Sequence, residues 1–245
     1  MKGSRMSFYE LLCKHYDEIF PATAEGMRFV NTLLGEGGTI LDLGCGTGNK
    51  TMFLAEGRKK VIAVDADPDM IDYARKHHAA DNVTYLGMHM EELDEELIPD
   101  SFDAASCLGN TLPHLTGEGA LLGVFRQVKK VLKRDGRFVG QLLNYERIIS
   151  QRITELPLVE TENVVFRRTY EWDGGVMHFR EELTDKRTGE VQTDSIPLRP
   201  LLKGEVEDTL SMAGFGPVEI WGGLDGQPYT SDSYHVVFRA AANLR

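Results

Sequence analysis

The sequence is poor in cysteine and in long apolar runs, and each shortage excludes a class of protein. Its 245 residues contain 3 cysteines, Cys13, Cys45 and Cys107, without the spacing of a metal site. No apolar run approaches the roughly 20 residues that cross a bilayer, and charges follow the polar stretch from Met1 to Ser7 where a secretory leader would be apolar. We therefore expect a cytoplasmic protein with reduced cysteines, no bound metal and no membrane segment.

Positive charge is also scarce. The chain has 27 Lys and Arg against 38 Asp and Glu, a formal net charge of −11. This balance opposes non-specific binding to a phosphate backbone, so nucleic acid is not an expected substrate. A neutral or cationic small molecule is easier to accommodate. The length suits one decorated α/β domain, or one domain with a small appendage, and we expect the latter.

A glycine-rich turn is the feature around which the chain is organised. Residues Thr39 to Asn49 read T-I-L-D-L-G-C-G-T-G-N. The apolar run, broken by Asp42, predicts a buried parallel strand, and Gly44, Gly46 and Gly48 follow it. Glycine lets the backbone approach a ligand closely, and a helix from about Lys50 presents free N–H groups there. The turn therefore predicts a nucleoside-binding site.

A second strand supports this interpretation. The run V-I-A-V-D spans residues 61–65 and ends in the acid Asp65. An acid at the end of the second strand of a βαβ unit accepts hydrogen bonds from both ribose hydroxyls of an adenosine. Strand, glycines, helix, strand and acid occur together in the expected order, which a chance glycine repeat does not explain.

At these residues the chain resembles the class I S-adenosylmethionine-dependent methyltransferases, in L-D-L-G-C-G-T-G and in V-D-A-D-P-D-M. The resemblance implies a Rossmann-like α/β fold: a seven-stranded, mostly parallel sheet with helices on both faces and an antiparallel flap after strand 5. It also implies S-adenosylmethionine as cofactor. The nicotinamide dehydrogenase fingerprint G-x-G-x-x-G is spaced differently, with Asn49 at its third glycine.

Further cofactor contacts follow from the resemblance. The segment H-Y-D-E-I-F around Tyr16 resembles one that closes over the cofactor, although Tyr16 also suits a half-buried helix position. Met70 contacts the adenine or only the core. Met88 stands where the third motif often has an aspartate, and Ala22 stands where related enzymes place an arginine for the cofactor carboxylate. The expected cofactor-binding residues are Tyr16, Asp42, Gly44, Cys45, Gly46, Gly48, Asp65, Ala66, Met70, Met88, His89, Met90 and Leu108.

The acceptor signal lies after strand 4, where S-C-L-G-N-T-L-P-H-L resembles a segment of glycine N-methyltransferase and of sarcosine/dimethylglycine-type enzymes. Ligands of open α/β sheets bind beyond the carboxyl ends of the strands. Asn110 there either orients an amine or carboxyl, or is a left-handed turn residue. His114 either reaches the pocket or begins the next helix. The [DNS]-P-P-[FY] motif of amino-methylating DNA enzymes is absent.

Strand 5 carries a second, partial match. Asn144 and Tyr145 fit the H-R-N-Y-D segment of the same enzymes, whereas Leu143 replaces the arginine that pairs with a glycine carboxylate. Glycine is therefore not favoured as the substrate. The candidates for acting on the acceptor are Asn110, His114, Asn144 and Tyr145.

Three segments are predicted. Residues 1–147 form the cofactor-binding core, with an N-terminal helical cover broken at Pro21 and a helix from about Gly119 to Lys133 that precedes a D135-G136 turn. Residues 148–200 form the antiparallel flap, with a hairpin turn at D173-G174-G175. Residues 201–245 form the C-terminal helix and the last two strands of the core sheet. Aromatic residues of the flap either close the acceptor pocket or pack, and these are Tyr170, Trp172 and Phe179.

The predicted function is methyl transfer from S-adenosylmethionine to a small-molecule acceptor, at an amine nitrogen. Oxygen or sulfur acceptors remain alternatives, as does a protein that binds the cofactor or its demethylated product as a sensor without turnover. A dehydrogenase is a third alternative. The sequence gives no indication of the oligomeric state.

Overall fold

The computed structural model describes residues 7–173 and 176–242 of the chain. The predicted hairpin turn at residues 173–175 includes Gly174 and Gly175, which lie outside the described residues. The helices are α1 (Phe8–Ile19), α2 (Ala24–Leu34), α3 (Asn49–Ala55), α4 (Pro68–His77), α5 (Leu93–Glu96), α6 (Ala120–Val131), α7 (Tyr145–Ser150) and α8 (Lys203–Met212). The strands are β1 (Thr39–Leu43), β2 (Lys60–Asp65), β3 (Val83–Gly87), β4 (Phe102–Cys107), β5 (Leu132–Leu143), β6 (Val159–Glu160), β7 (Val164–Asp173), β8 (Val176–Asp185), β9 (Val191–Leu198), β10 (Val218–Trp221) and β11 (His235–Ala241).

The large sheet has seven strands in the order β10-β11-β5-β4-β1-β2-β3. The five strands from β1 to β5 run parallel, and β11 lies antiparallel to both β5 and β10. The predicted Rossmann-like sheet is confirmed. The chain order reverses between β1 and β4, so a crevice opens beyond their carboxyl ends, where such folds bind ligands.

The strands alternate between two apolar layers, which fixes the orientation of the sheet. Leu41 and Leu43 of β1 face a core that includes α6 and α8, whereas Ile40 faces a second core with α2 and α3. At α4, Asp67 caps the helix by accepting from the backbone N–H of Met70 at 3.1 Å.

The N-terminal cover consists of α1 and α2, separated as predicted around Pro21. Ser7 and Glu10 form a capping box at the start of α1, with the Ser7 amide donating to Glu10 Oε2 at 2.7 Å. The apolar face of α1 packs against Met70 of α4 and against Phe166 and Leu183 of the second sheet. The cover therefore joins the core to the flap.

Strand β5 begins earlier than the sequence predicted. Helix α6 ends at Val131, and β5 starts at Leu132 and includes the D135-G136 pair. The pairing with β4 steps from Phe102–Leu132 to Ala104–Arg137, so the residues between form an irregularity in the ladder. The predicted helix end and turn at Lys133 to Gly136 are wrong because this segment stays in the sheet as a bulge.

The flap is a four-stranded antiparallel sheet in the order β6-β7-β8-β9, and the predicted second sheet is confirmed. Strand β6 was not predicted. Residues 148–150, which the sequence assigned to the start of the flap, belong to helix α7 instead. In the described part of the chain, no helix is both long and apolar enough to cross a lipid bilayer.

Candidate active site

The glycine turn after β1 serves both packing and access. A Cβ on Gly44, whose φ is +64°, would lie 2.4 Å from Thr111 Cγ2, and a Cβ on Gly48 would lie 2.5 Å from the Tyr85 hydroxyl. Both positions need glycine because neighbouring side chains fill the space. A Cβ on Gly46 would meet nothing closer than the Tyr16 ring at 3.5 Å. Gly46 is thus the glycine that leaves open space at the turn.

Asp65 is held at the end of β2 by backbone hydrogen bonds. Its Oδ2 accepts from the Gly46 amide at 2.8 Å, and its Oδ1 accepts from the Asp67 amide at 3.0 Å. Each oxygen keeps acceptor capacity for a ligand. Burial raises the pKa of the Asp65 carboxyl, and these hydrogen bonds counteract the rise. The carboxylate is therefore pre-oriented before any ligand arrives.

A cavity of about 410 Å³ lies over the glycine turn, and we call it the sheet-end cavity. Its wall combines the Asp65 carboxylate with three thioethers, a combination that suits a nucleoside with one polar sugar edge and one flat apolar base. Nine predicted cofactor residues line it: Tyr16, Gly44, Gly46, Asp65, Ala66, Met70, Met88, His89 and Met90. Tyr9, Val64, Asp67, Glu91, Gly109, Thr111, His114 and Leu115 also line it, and the sequence did not identify them as cofactor contacts.

Four predicted cofactor residues lie outside the cavity wall: Asp42, Cys45, Gly48 and Leu108. Asp42 is buried and accepts hydrogen bonds from Thr51 Oγ1 at 2.7 Å and Ser106 Oγ at 2.8 Å. It therefore ties α3 and β4 to β1 beneath the turn, and a direct contact with the ligand stays a prediction. Its pKa is raised by burial, while the two hydroxyls act to lower it.

Cys45 and Leu108 have packing roles. The Cys45 thiol is buried, which raises its pKa well above the ordinary value, as expected of a space-filling cysteine rather than a nucleophile. Leu108 is in the apolar core beside Val139, and its carbonyl accepts from Thr111 Oγ1 at 2.9 Å. The side chains at these positions support the turn from behind.

A second cavity of about 360 Å³ lies between the sheet end, α1 and the flap, and we call it the flap cavity. Leu143 lines it where the resemblance would place an arginine. Its charged lining residues are Lys50, Arg168 and Glu181, none of which the sequence identified. The remaining lining residues are Tyr9, Leu12, Tyr16, Phe20, Pro21, Gly109, Asn110, His114, Gln141, Leu156, Phe179, Ile196, Leu198, Leu224, Tyr234 and His235.

The two cavities share four lining residues, Tyr9, Tyr16, Gly109 and His114. Gly109 follows β4, and its amide donates to Gln141 Oε1 at 2.8 Å, which fixes this edge to β5. The cavities therefore adjoin at the carboxyl end of β4. Ligands in the two cavities would meet beside Gly109.

Asn110 lines the flap cavity with its amide already bonded to the protein. Its φ is +66°, so the left-handed turn interpretation is confirmed. Its Nδ2 donates to the Tyr145 hydroxyl at 3.0 Å, and its Oδ1 accepts from the Leu143 amide at 3.0 Å. The side chain joins the ends of β4 and β5, and its role towards an acceptor stays a prediction.

Asn144 and Tyr145 are fully buried and line neither cavity, and their role towards the acceptor stays a prediction. Asn144 caps α7, and its Nδ2 donates to the carbonyls of Ser231 at 3.1 Å and Ser233 at 3.0 Å. Because α7 begins at Tyr145, both side chains turn into the packing below the site. Tyr145 reaches the site only through its hydrogen bond to Asn110.

His114 lies in the shared wall, at the end of a short 3₁₀ turn. His114 lines both cavities, whereas helix α6 begins only at Ala120, so the interpretation as the start of the next helix is wrong. Desolvation of the ring lowers the pKa of His114, which keeps the imidazole neutral at pH 7 and able to accept a proton.

The flap aromatics divide between the cavity and the packing. Phe179 lines the flap cavity. Tyr170 packs against it with ring centroids 5.4 Å apart but is buried outside the wall, and Trp172 is 53% exposed. Pocket closure is thus wrong for Tyr170 and Trp172.

Two of the residues that the sequence analysis missed, Arg168 and Glu181, could have been found from the alternation of residues along the hairpin. Arg168 lies between Phe166 and Tyr170 at period two on β7, so a charge occurs on an otherwise apolar strand face. Glu181 is its direct partner on β8. An alternation analysis of the hairpin would have found both residues.

Comparison with known proteins agrees with this geometry. The family described as methyltransferase domain matches residues 40–136. Glycine/sarcosine N-methyltransferase from Aphanothece halophytica is 27% identical over 205 residues, covering 82% of this chain and 75% of the relative. Glycine N-methyltransferase from Mus musculus is 31% identical over 144 residues, covering 52% of this chain and 48% of the relative. The chain thus spans three quarters of one relative and about half of the other.

Two solved structures share the fold over almost the whole chain. An S-adenosylmethionine-dependent methyltransferase from Clostridium acetobutylicum has a TM-score of 0.78 at 17% identity, covering 96% of this chain and 99% of that chain. The amino pentose methyltransferase CalS10 from Micromonospora echinaspora, solved with S-adenosylmethionine bound, has a TM-score of 0.70 at 20% identity, covering 99% and 100%.

The chain is a class I S-adenosylmethionine-dependent methyltransferase. The sheet-end cavity has a lining that fits this cofactor, since Asp65 would face a ribose and the thioethers of Met70, Met88 and Met90 would face an adenine. The sequence had predicted this family and this cofactor.

Proposed function

We propose that this methyltransferase transfers a methyl group to an amine nitrogen of a small molecule that binds in the flap cavity. One observation carries the proposal: the sheet-end cavity and the flap cavity share Tyr9, Tyr16, Gly109 and His114. The cofactor supplies a methyl group already activated on a sulfonium, so the protein's task is to align the acceptor and exclude water.

On the cofactor side, Asp65 would hold the ribose and the backbone beside Gly46 would lie along the amino-acid tail. A cation for the cofactor carboxylate is needed because Ala22 replaces the arginine of related enzymes. We propose Lys50 for this role. Its Nζ lies 3.9 Å from the point where a Cβ on Gly109 would stand, beside the junction of the cavities. Among the described residues, no carboxylate lies within 4.0 Å of the Lys50 ammonium.

On the acceptor side, Tyr16 and the flap close the space above the junction. Tyr16 lies over Gly46, with its ring 4.9 Å from that of Phe20. Asn110 would act as a fixed polar edge of the acceptor pocket, since Tyr145 and the Leu143 amide hold its side chain. His114 would be available to accept a proton.

Two observations favour nitrogen as the acceptor atom. Glu181 places a carboxylate in the flap cavity, which suits a cationic or amine acceptor. The names of the relatives specify N-methylation of glycine or sarcosine, and that of a structural neighbour specifies an amino pentose. As a separate point, we propose a cytoplasmic site of action, since the three cysteines are buried and free.

The proposal is tested with labelled S-adenosylmethionine and a panel of amines, thiols and phenols, including glycine, sarcosine and an aminated methyl glycoside. We expect methylated amine, and protection against thermal unfolding by S-adenosylhomocysteine but not by nicotinamide cofactors. Methylation only of thiols or phenols would move the activity to sulfur or oxygen. Cofactor binding without any methylated product, even with cell extract as acceptor, would indicate a sensor.

A further inference from the structure

A charged pair interrupts the inner face of the flap. Arg168 on β7 and Glu181 on β8 are directly paired across the strands, and both side chains line the flap cavity. Their neighbours on this face are apolar: Phe166 pairs with Leu183, and Tyr170 pairs with Phe179. A flap that served only to pack against the core would have no use for charges here.

The Glu181 carboxylate and the Arg168 guanidinium do not form an ion pair with each other. Within the described residues, no contact of 4.0 Å or less joins the Glu181 carboxylate to the Arg168 guanidinium, and no hydrogen bond to that carboxylate is formed. Arg168 Nη2 donates to the Pro157 carbonyl at 2.8 Å, while its buried Nε has no partner. Glu181 is only 8% exposed, so its acceptor capacity is directed into the cavity.

The surroundings of Glu181 set its protonation. Its neighbours are Arg168 on β7, Asp194 on β9, and Tyr9 and Tyr16 on α1. Burial and, to a smaller extent, the charge of Asp194 raise the pKa of Glu181, Arg168 lowers it in part, and the net pKa is about 7. A carboxylate with this pKa is suited to proton exchange at neutral pH.

We propose that Glu181 binds the ammonium group of the acceptor in the flap cavity and removes its proton before methyl transfer. The inference rests on the proposed amine methylation. An N–H bond of the ammonium breaks, and the proton forms an O–H bond with a Glu181 oxygen. The freed lone pair on nitrogen forms the new bond to the methyl carbon as the methyl–sulfur bond breaks and its electron pair stays on sulfur. The Glu181 proton then leaves to solvent.

Two variants of adjacent residues test the proposal. Glu181→Gln keeps the size of the side chain and removes the charge. Glu182→Gln makes the same chemical change one residue further along β8, at an exposed position paired with Arg167 on the other face of the flap. The second variant is the matched control.

The first measurement needs no acceptor: the unfolding equilibrium of each protein at pH 5 and pH 8. A folded-state pKa of about 7, against an ordinary value of 4.5, means that the wild type loses stability as pH rises through this window. We expect Glu181→Gln to gain roughly 50-fold in its folding equilibrium constant relative to the wild type between pH 5 and pH 8. Glu182→Gln should follow the wild type. An equal pH dependence of Glu181→Gln and the wild type would overturn the proposal.

The second measurement is kcat/KM at pH 7 and pH 9.5 for whichever amines of the panel are methylated, together with the affinity for S-adenosylhomocysteine. We expect kcat/KM of Glu181→Gln to be roughly 100-fold lower than that of the wild type at pH 7. At pH 9.5, where solvent deprotonates the amine, kcat/KM should be lower by less than about 10-fold. Cofactor-product affinity should be unchanged.

The outcomes separate the two proposals. Absence of methylated amine with the wild type would overturn the proposed function, and this inference with it. Methylation of an amine with undiminished kcat/KM in Glu181→Gln, or with equal loss at both pH values, would overturn only the role of Glu181. A weakened affinity for S-adenosylhomocysteine in this variant would move Glu181 to the cofactor site and would also contradict the proposal.

Discussion

The sheet-end cavity and the flap cavity are built in different ways. Most lining residues of the sheet-end cavity come from one contiguous stretch, residues 44–90. Its acid, Asp65, is held by the backbone amides of Gly46 and Asp67. The second draws its charged residues from α3, β7 and β8, which meet only when the flap is folded over the sheet. One cavity is thus a local motif, and the other is a product of tertiary structure. The geometry of the cofactor site therefore depends mainly on local backbone, whereas that of the second cavity depends on the position of the flap.

The largest expected effect is on the cofactor side. Asp65→Ala removes the charged acceptor for two ribose hydroxyls, which we expect to weaken S-adenosylhomocysteine binding by at least roughly 100-fold, since hydrogen bonds to charged groups contribute about 1.5–3 kcal/mol each. Calorimetry measures this directly. The exposed Asp69→Ala on α4 serves as the control, and equal affinities of the two variants would remove Asp65 from the site.

Asn144 tests whether the region below the flap cavity is structural. Asn144→Ala removes a helix cap and two hydrogen bonds to the carbonyls of Ser231 and Ser233, which we expect to cost about 2–3 kcal/mol of unfolding free energy. Urea unfolding gives the value. Activity lost at full stability would return Asn144 to the acceptor site.

Asn110 tests the boundary between the cavities. Asn110→Gly keeps the left-handed backbone and removes only the amide, so we expect roughly 10-fold lower turnover with S-adenosylhomocysteine affinity within about two-fold of the wild type. Steady-state kinetics and calorimetry separate the two quantities. Parallel loss of both would assign Asn110 to the cofactor.

The smallest expected effect belongs to Lys50. Lys50→Met should weaken S-adenosylhomocysteine binding by roughly 5-fold to 10-fold, the worth of one charge-assisted contact of about 1 kcal/mol. Binding of 5′-methylthioadenosine, which lacks the carboxylate, should not change. The exposed Lys59→Met is the control. Equal weakening of both ligands would assign Lys50 to packing, and a change confined to the acceptor KM would place it on the flap side.

The same contrast explains how far sequence reasoning reached. The β1–α3–β2 unit, the sheet and nine residues of the sheet-end cavity were predictable because strand pattern, glycines and Asp65 occur close together along the chain. Asp42 was expected to touch the ligand, but Thr51 and Ser106 bind both its oxygens, and Ser106 comes from a strand 64 residues away. The burial of Asn144 and Tyr145 was not predictable because it depends on where α7 begins. Lys50, Arg168 and Glu181 were missed because their convergence depends on how the flap folds over the sheet.

A crystal structure of the protein with S-adenosylhomocysteine tests the central claim most directly. The account predicts ribose hydroxyls within hydrogen-bonding distance of the Asp65 carboxylate, with the sulfur beside Gly109 and open to the flap cavity that contains Glu181. A nucleoside bound elsewhere, or a sulfur walled off from the flap cavity by packed side chains, would contradict it.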